Sequence, residues 1–275
     1  SMLLYYYLNI LMMELSAFIK HVYVAVIFII FFKNICLYCN KNEPSKYLSV
    51  PTTNVALGSG EMFNNIANIY DAANIIMSLN LDTTWGLKLI QKIHQKNSNN
   101  RKILDMSTGT GHLPFLMADY FNNGNNESNN NKKMNIIGID PSEKMLDVAH
   151  YKLKRRIIRE KYNDKIIINF EKGSAEKIKY SNSYFDGITM KFGIRNVNNR
   201  KKSLKELKRV LKSKGYLMIL EFVSPSQGVL AIPAQMFISF IIPLIGYAIS
   251  FGNNSQEYNY LRSSIYNFPN EKMIY

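Results

Sequence analysis

Cysteine is almost absent: Cys36 and Cys39 are the only 2 in 275 residues. That excludes a disulfide-stapled scaffold. The pair is a lone C-x-x-C with no second cysteine pair or histidine cluster to complete a zinc site, so no metal is expected. Acid is also scarce, with 20 Asp+Glu against 34 Lys+Arg and a net charge of +14. Such a balance favours an anionic partner, either nucleic acid or an acidic membrane surface. The basic residues crowd into Lys152 to Lys161 and Arg200 to Lys214, two helical patterns. No aromatic side chains alternate with these charges as a base-stacking platform requires, so nucleic acid is not expected. Arginine is missing from Met2 to Tyr38, which argues against an Arg- and Ser-rich mitochondrial presequence.

What is present is an ordinary globular composition, 47% apolar and 20% charged, which excludes a wholly disordered chain. Residues 1–50 read as an apolar targeting or membrane-associating leader followed by a linker. The densest apolar run is Val22 to Phe32, flanked by Lys20, His21 and Lys33. That run is shorter than the ~18–20 residues a bilayer span needs. From Asn40 to Gly60 the chain turns polar, with Pro44, Pro51 and Gly58. Residues 51–275 read as the folded domain. Within it, 229–251 carry no charge and are interrupted by Pro233, Pro243 and Gly246. They fit an apolar lid, a membrane-facing segment or a pair of core helices. The Asn-rich run Asn122 to Asn131 reads as a surface loop.

The middle of the chain alternates short apolar runs with amphipathic ones. Strands are predicted at Arg101–Met106, Asn135–Asp140, Lys165–Phe170, Tyr184–Met190 and Tyr216–Phe222. Helices are predicted at Leu113–Phe121, Glu143–Lys161 with Ser142 as N-cap, and Arg200–Lys212. This alternation predicts right-handed β-α-β units, an α/β fold with a mostly parallel, doubly wound sheet. Ligands of such sheets sit beyond the carboxyl ends of the strands, so the loops there are the ones to examine.

The first of these loops runs Asp105-Met-Ser107-Thr-Gly109-Thr110-Gly111. Its glycines let a ligand approach the backbone closely. Pro114 stands where a dinucleotide motif would place its third glycine. Asp105, lying before the glycines, would repel a pyrophosphate but attract the amino group of an amino-acid moiety. Asp140 ends the second strand and is placed to hold both ribose hydroxyls. Ser174 and Ala175 follow the third strand, where a small polar side chain suits an adenine edge. A ribose-binding acid, a glycine turn and no phosphate site together describe S-adenosylmethionine, and a class I methyltransferase (Rossmann-like).

At this point the sequence resembles the ubiquinone/menaquinone-biosynthesis C-methyltransferases of the UbiE type. The resemblance covers roughly Met62 to Pro269. Its most specific string is Phe192-Gly-Ile-Arg-Asn-Val197. Glu221-Phe222 with Pro225, Tyr70-Asp71 with Asn74 and Met77-Ser78, and Tyr258-Asn-Tyr260-Leu also match. The resemblance implies S-adenosylmethionine as cofactor and a polyprenyl hydroquinone as acceptor. It places Thr110, Asp140, Ser174 and Ala175 at cofactor positions and implies a mitochondrial location, peripheral on the inner membrane, with other quinone-biosynthesis proteins as partners. Four residues depart from the pattern. Thr108 and Asn80 replace glycines, His112 replaces an aspartate, and Lys191 stands where a small residue meets the cofactor. The family's C-terminal strands are also missing from the pattern after Tyr275.

Candidate catalytic residues follow from the chemistry of C-methylation. Arg195 would stabilise a phenolate, since a guanidinium stays charged; its plainer role is to anchor its own loop. Asn196 would hold the ring or brace Arg195, and Tyr70 would cover the cofactor or touch the ring. The candidate cofactor residues are Asp105, Ser107, Gly109, Thr110, Gly111, Asp140, Ser174, Ala175 and Lys191. A degenerate scaffold or prenyl-lipid-binding subunit, or a methyltransferase for another lipid, are the alternatives.

Overall fold

The computed structural model describes residues 60–78, 80–96, 102–122, 133–158, 165–222, 231–241, 260–261, 263–265 and 268. The expectations for the leader, for the Asn-rich run beyond Asn122 and for most of 229–251 lie outside the described residues.

Three helices come first: α1 (Glu61–Ile66), α2 (Tyr70–Ser78) and α3 (Leu81–Lys96). There follow β1 (Lys102–Met106), α4 (His112–Asn122), β2 (Met134–Asp140), α5 (Glu143–Ile158), β3 (Ile166–Lys172) and β4 (Phe185–Lys191). A 3-10 turn at Ile194–Asn196 precedes α6 (Arg200–Val210), β5 (Leu211–Leu220) and α7 (Ala231–Met236). The strands form one sheet in the order β3-β2-β1-β4-β5, and every pairing is parallel. The chain reverses direction of travel between β1 and β4, which makes the cleft above those two strands the expected ligand site.

Strands β1, β2 and β4 are buried on both faces, which is why they read as continuous apolar runs. Alternate residues still serve opposite layers. Ile103, Ile136, Met218 and Leu220 pack with Trp85, Ile90, Leu113 and Phe115 under α3 and α4. Leu104, Met106, Ile137, Ile139, Leu217 and Ile219 pack with Leu207 and Val210 of α6. Ser142 caps α5 as expected, its Oγ accepting from Met145 N at 3.2 Å. Asn199 caps α6 by accepting from Lys202 N at 2.9 Å.

The boundaries differ from the sequence reading at α6 and β5. The helix stops at Val210, and Leu211 already pairs with Phe185. Residues 212–215 bulge outward before Tyr216 pairs with Gly187. Lys214 and Gly215 lie in this bulge.

Candidate active site

Four strand ends converge on one cavity. Its wall includes Ser107 and Gly109 after β1, Asp140 after β2, Ser174 and Ala175 after β3, and Lys191, Asn196 and Val197 after β4. Glu61, Met62 and Phe63 of α1, Tyr70 of α2 and Tyr260 close its other side.

Backbone conformation marks the place. Ser107 and Phe192 both have positive φ, 59° and 57°, although neither is glycine. Strain of this kind, ~1–3 kcal/mol per residue, survives only where neighbours enforce it. Here Gly193 lies so close to Ser107 that an added Cβ would sit 2.5 Å from the Ser107 Cβ. The two glycines of the first loop have different jobs. A Cβ on Gly111 would strike Phe170 at 2.6 Å, so Gly111 is required by packing. A Cβ on Gly109 would meet only Tyr70 Cε1, at 3.9 Å, so the backbone there faces open space suited to a ligand.

Asp140 is buried, and each carboxylate oxygen accepts one backbone N–H: Oδ2 from Gly109 at 2.8 Å and Oδ1 from Ser142 at 2.9 Å. Burial pushes its pKa up to about 6, against the pull of those two N–H groups. Each oxygen retains a lone pair for a hydroxyl donor. The acid thus fixes the glycine turn and still offers acceptors at the cavity wall.

Asp105 departs from the expected role. Its Oδ1 accepts from Thr189 Oγ1 and its Oδ2 from Thr108 Oγ1, both at 2.7 Å. Burial raises its pKa to about 6. The carboxylate braces the loop from beneath, and it lies on a neighbouring cavity rather than on the one holding Asp140. Thr108, which stands where the family pattern has glycine, supplies one of those hydroxyls. Asn80 sits at φ 62°, a region that Asn tolerates better than most residues, which explains how it replaces glycine.

Thr110 is also committed elsewhere. Its Oγ1 donates to Asp71 Oδ1 at 2.6 Å, and Lys152 Nζ bonds Asp71 Oδ2 at 2.5 Å and the Thr110 carbonyl at 3.1 Å. These bonds clasp α2, and with it Tyr70, onto the glycine turn.

Arg195 is held on several sides. Its guanidinium is buried, ion-paired with Glu221, and hydrogen-bonded to the Phe192 carbonyl at 3.1 Å and Ser264 Oγ at 3.3 Å. Its own N–H donates to Glu221 Oε2 at 3.1 Å. It does not line the cavity. These bonds suit Arg195 to anchoring its loop, the plainer of the two roles expected of it. Asn196 does line the cavity, held by its Nδ2 donating to Phe192 O at 3.3 Å and by Tyr260 OH donating to its Oδ1 at 3.2 Å. Burial raises the pKa of Tyr260 and of Tyr70, so both phenols are protonated at neutral pH.

Lys191 lines the cavity with its stem, but its ammonium points to Asp82 Oδ2 at 3.0 Å and His112 Nδ1 at 2.9 Å. Burial, with Lys191 beside it, lowers the His112 pKa to about 4, so the ring is neutral near pH 7. The sequence reading missed Asp71, Asp82, Glu221, Tyr260 and the α1 residues as parts of the site. Three of these lay within strings already quoted for the resemblance. Asp82 had no local signal.

Comparison with known proteins gives the family. The profile of the ubiE/COQ5 methyltransferase family matches residues 53–275. A demethylmenaquinone methyltransferase of Bacteroides fragilis is 32% identical over 214 residues, covering 78% of this chain and 79% of that protein. The ubiquinone/menaquinone biosynthesis C-methyltransferase UbiE of Campylobacter jejuni is 35% identical over 214 residues, covering 77% of this chain and 83% of that protein. The protein of the same name in Geotalea daltonii is 33% identical over 211 residues, covering 77% of this chain and 81% of that protein.

Proposed function

The chain belongs to the ubiE/COQ5 methyltransferase family, and from that premise we propose that it methylates a ring carbon of a polyprenyl hydroquinone, using S-adenosylmethionine, in ubiquinone or menaquinone biosynthesis. One observation carries the reading. The cofactor-type loops at Gly109, Asp140 and Ser174 line the same cavity as Asn196, in the string most specific to the family.

The residues fit the cofactor. Asp140 offers two lone pairs suited to adjacent ribose hydroxyls, the Gly109 backbone is open to close approach, and Ser174 with Ala175 offers a small wall for a planar base. When bound, the cofactor supplies an electrophilic methyl group on a sulfonium. The chain's own residues do the rest by placement, which supplies much of the rate gain in such transfers. Tyr70, held by the clasp at Asp71, covers the glycine turn and excludes water. Asn196 presents its amide to the acceptor ring, and the Arg195–Glu221 pair fixes the loop that carries it. Phe192 stacks on Phe222 with centroids 4.0 Å apart, an apolar surface beside the cavity.

The substrate's tail and the net charge of +14 support docking on an anionic membrane surface. The exposed Ile232, Met236 and Phe240 recur every four residues and would face the lipid. No helix among the described residues is long and apolar enough to cross a membrane. A mitochondrial inner-membrane location and association with other quinone-biosynthesis proteins rest on the resemblance alone.

The test is methyl transfer from labelled S-adenosylmethionine to short-tailed demethyl benzoquinols and naphthoquinols, with product analysis by mass and by ring-proton loss. A ring-methylated product from either quinol, lost with Asp140→Ala, is expected. Cofactor binding without transfer to either quinol would overturn the acceptor. A folded chain that binds no cofactor would point to a scaffold.

A further inference from the structure

The far side of the glycine turn holds charges that the reading above leaves unused. Lys191 Nζ bonds Asp82 Oδ2 at 3.0 Å and His112 Nδ1 at 2.9 Å. The groups come from the end of β4, the first turn of α3 and the start of α4. The Lys191 and Asp82 side chains are only 10% and 6% exposed, so water screens them little. A buried ion pair is weak evidence of a stabilising device, because apolar residues in its place often serve as well. This pair stands on the wall of a cavity of about 300 Å³. That cavity shares Tyr70, Ser107, Gly109, Lys191 and Phe192 with the one lined by Asp140.

We propose that Asp82 and Lys191 receive the α-ammonium and α-carboxylate of the cofactor's amino-acid end, with His112 orienting Lys191. The inference rests on the reading that an adenosyl cofactor lies along the glycine turn. Placement supports it: Asp140 and Ser174 line the first cavity, Asp82 lines the second, and Gly109 and Lys191 line both, so a ligand lying along the glycine turn from Asp140 meets Lys191 and then Asp82. Charge supports it as well. Asp82 and Lys191 sum to zero, so a lone cation or anion would leave one buried charge unmatched, whereas a zwitterion matches both. Valence allows it. Lys191 has three N–H donors and its two partners use two, while the Asp82 carboxylate keeps free lone pairs beside Lys191 and Thr83. Asp105, the acid that the sequence offered for the ammonium, is already covered by two hydroxyls.

Calorimetric titration separates this inference from its parent. Three ligands are used on the full chain: S-adenosylhomocysteine, its decarboxylated analogue, and 5′-methylthioadenosine, which lacks the amino-acid end. Wild type is expected to bind the decarboxylated analogue about 10- to 100-fold more weakly than S-adenosylhomocysteine, the range for one charge-assisted hydrogen bond. Lys191→Met is expected to weaken S-adenosylhomocysteine by a similar factor while leaving 5′-methylthioadenosine within about twofold, which also certifies the fold. Equal loss of both ligands in Lys191→Met, or no loss of either, would make the cluster a structural ion pair only. If Lys191→Met does not fold, the ligand series on wild type decides alone: no discrimination against the decarboxylated analogue overturns the proposal. If wild type binds none of the three, the functional reading itself fails, and this inference falls with it.

Discussion

Replacing Arg195 by methionine tests whether the loop between β4 and α6 is anchored or catalytic. Methionine keeps most of the apolar stem and removes only the guanidinium. Glu221 then loses its buried cation but keeps two backbone donors, Arg195 N at 3.1 Å and Phe222 N at 2.9 Å. Breaking a buried ion pair on one side costs roughly 3–5 kcal/mol. The surviving donors place this case at about 3 kcal/mol. In a domain of roughly 150–250 residues each kcal/mol moves Tm by about 2–4 °C, so a fall of about 6–12 °C is expected. The double variant Arg195→Met/Glu221→Gln removes the stranded charge and should recover at least half of the loss. Thermal unfolding of the two single variants and the double variant measures this directly. Kinetics on the double variant complete the test. An anchor lets kcat/KM recover with stability, to within about tenfold of wild type. A guanidinium that stabilised a developing oxyanion would leave a deficit of about 10²–10³ in kcat, whatever the stability. An Arg195→Met variant of unchanged Tm with such a deficit would refute the anchoring role.

Three further outcomes follow from the geometry. Gly111→Ala forces a side chain into positive φ and against Phe170 at 2.6 Å. Overpacking of this kind costs about 1–3 kcal/mol, so a Tm several degrees lower and weakened S-adenosylhomocysteine binding are expected; an unshifted Tm would contradict the packing. Asp71→Asn weakens the clasp to Thr110 and Lys152. S-adenosylhomocysteine should then dissociate about tenfold faster in stopped-flow displacement, with little change in Tm, and an unchanged off-rate would mean that α2 does not gate the cavity. The contribution of Asp105 and Asp140 to the stability of the ligand-free protein should fall as pH rises from about 4 to 6. Asp105 and Asp140, raised to about 6, then hold protons that the unfolded chain has released. His112, lowered to about 4, acts in the opposite direction, because the unfolded chain binds its proton first. His112→Asn should therefore steepen the fall, read from urea midpoints at pH 4.5 and 6.5; a shallower slope would show that the signs are wrong.

The parts of the fold that were legible in the sequence depend on local pattern. Apolar runs such as 135–140, closed by Pro141 and the N-cap Ser142, specify buried strands and helix starts without reference to the rest of the chain. Asp140 was legible as an acid on the cavity wall, because the strand pattern alone places it at a strand end. The partner of Arg195 was not legible, since Glu221 lies 26 positions later. Thr110 was claimed in the same way by Asp71, 39 positions earlier. Asp82 and Lys191 lie 109 positions apart, and only the tertiary fold brings them together. Each departure from the family pattern proved to have a local partner or a tolerated backbone angle, a relation that no single position reveals.

Gly60 lies against the start of α5, where a Cβ would come within 2.5 Å of Ser142 N, and Asn64 Oδ1 accepts from Ser142 Oγ at 2.7 Å. Gly60 is also part of the cavity rim. The polypeptide therefore enters the domain at the doorway of its own active site. Whatever holds the chain ahead of Gly60 therefore also sets the direction in which the cavity opens.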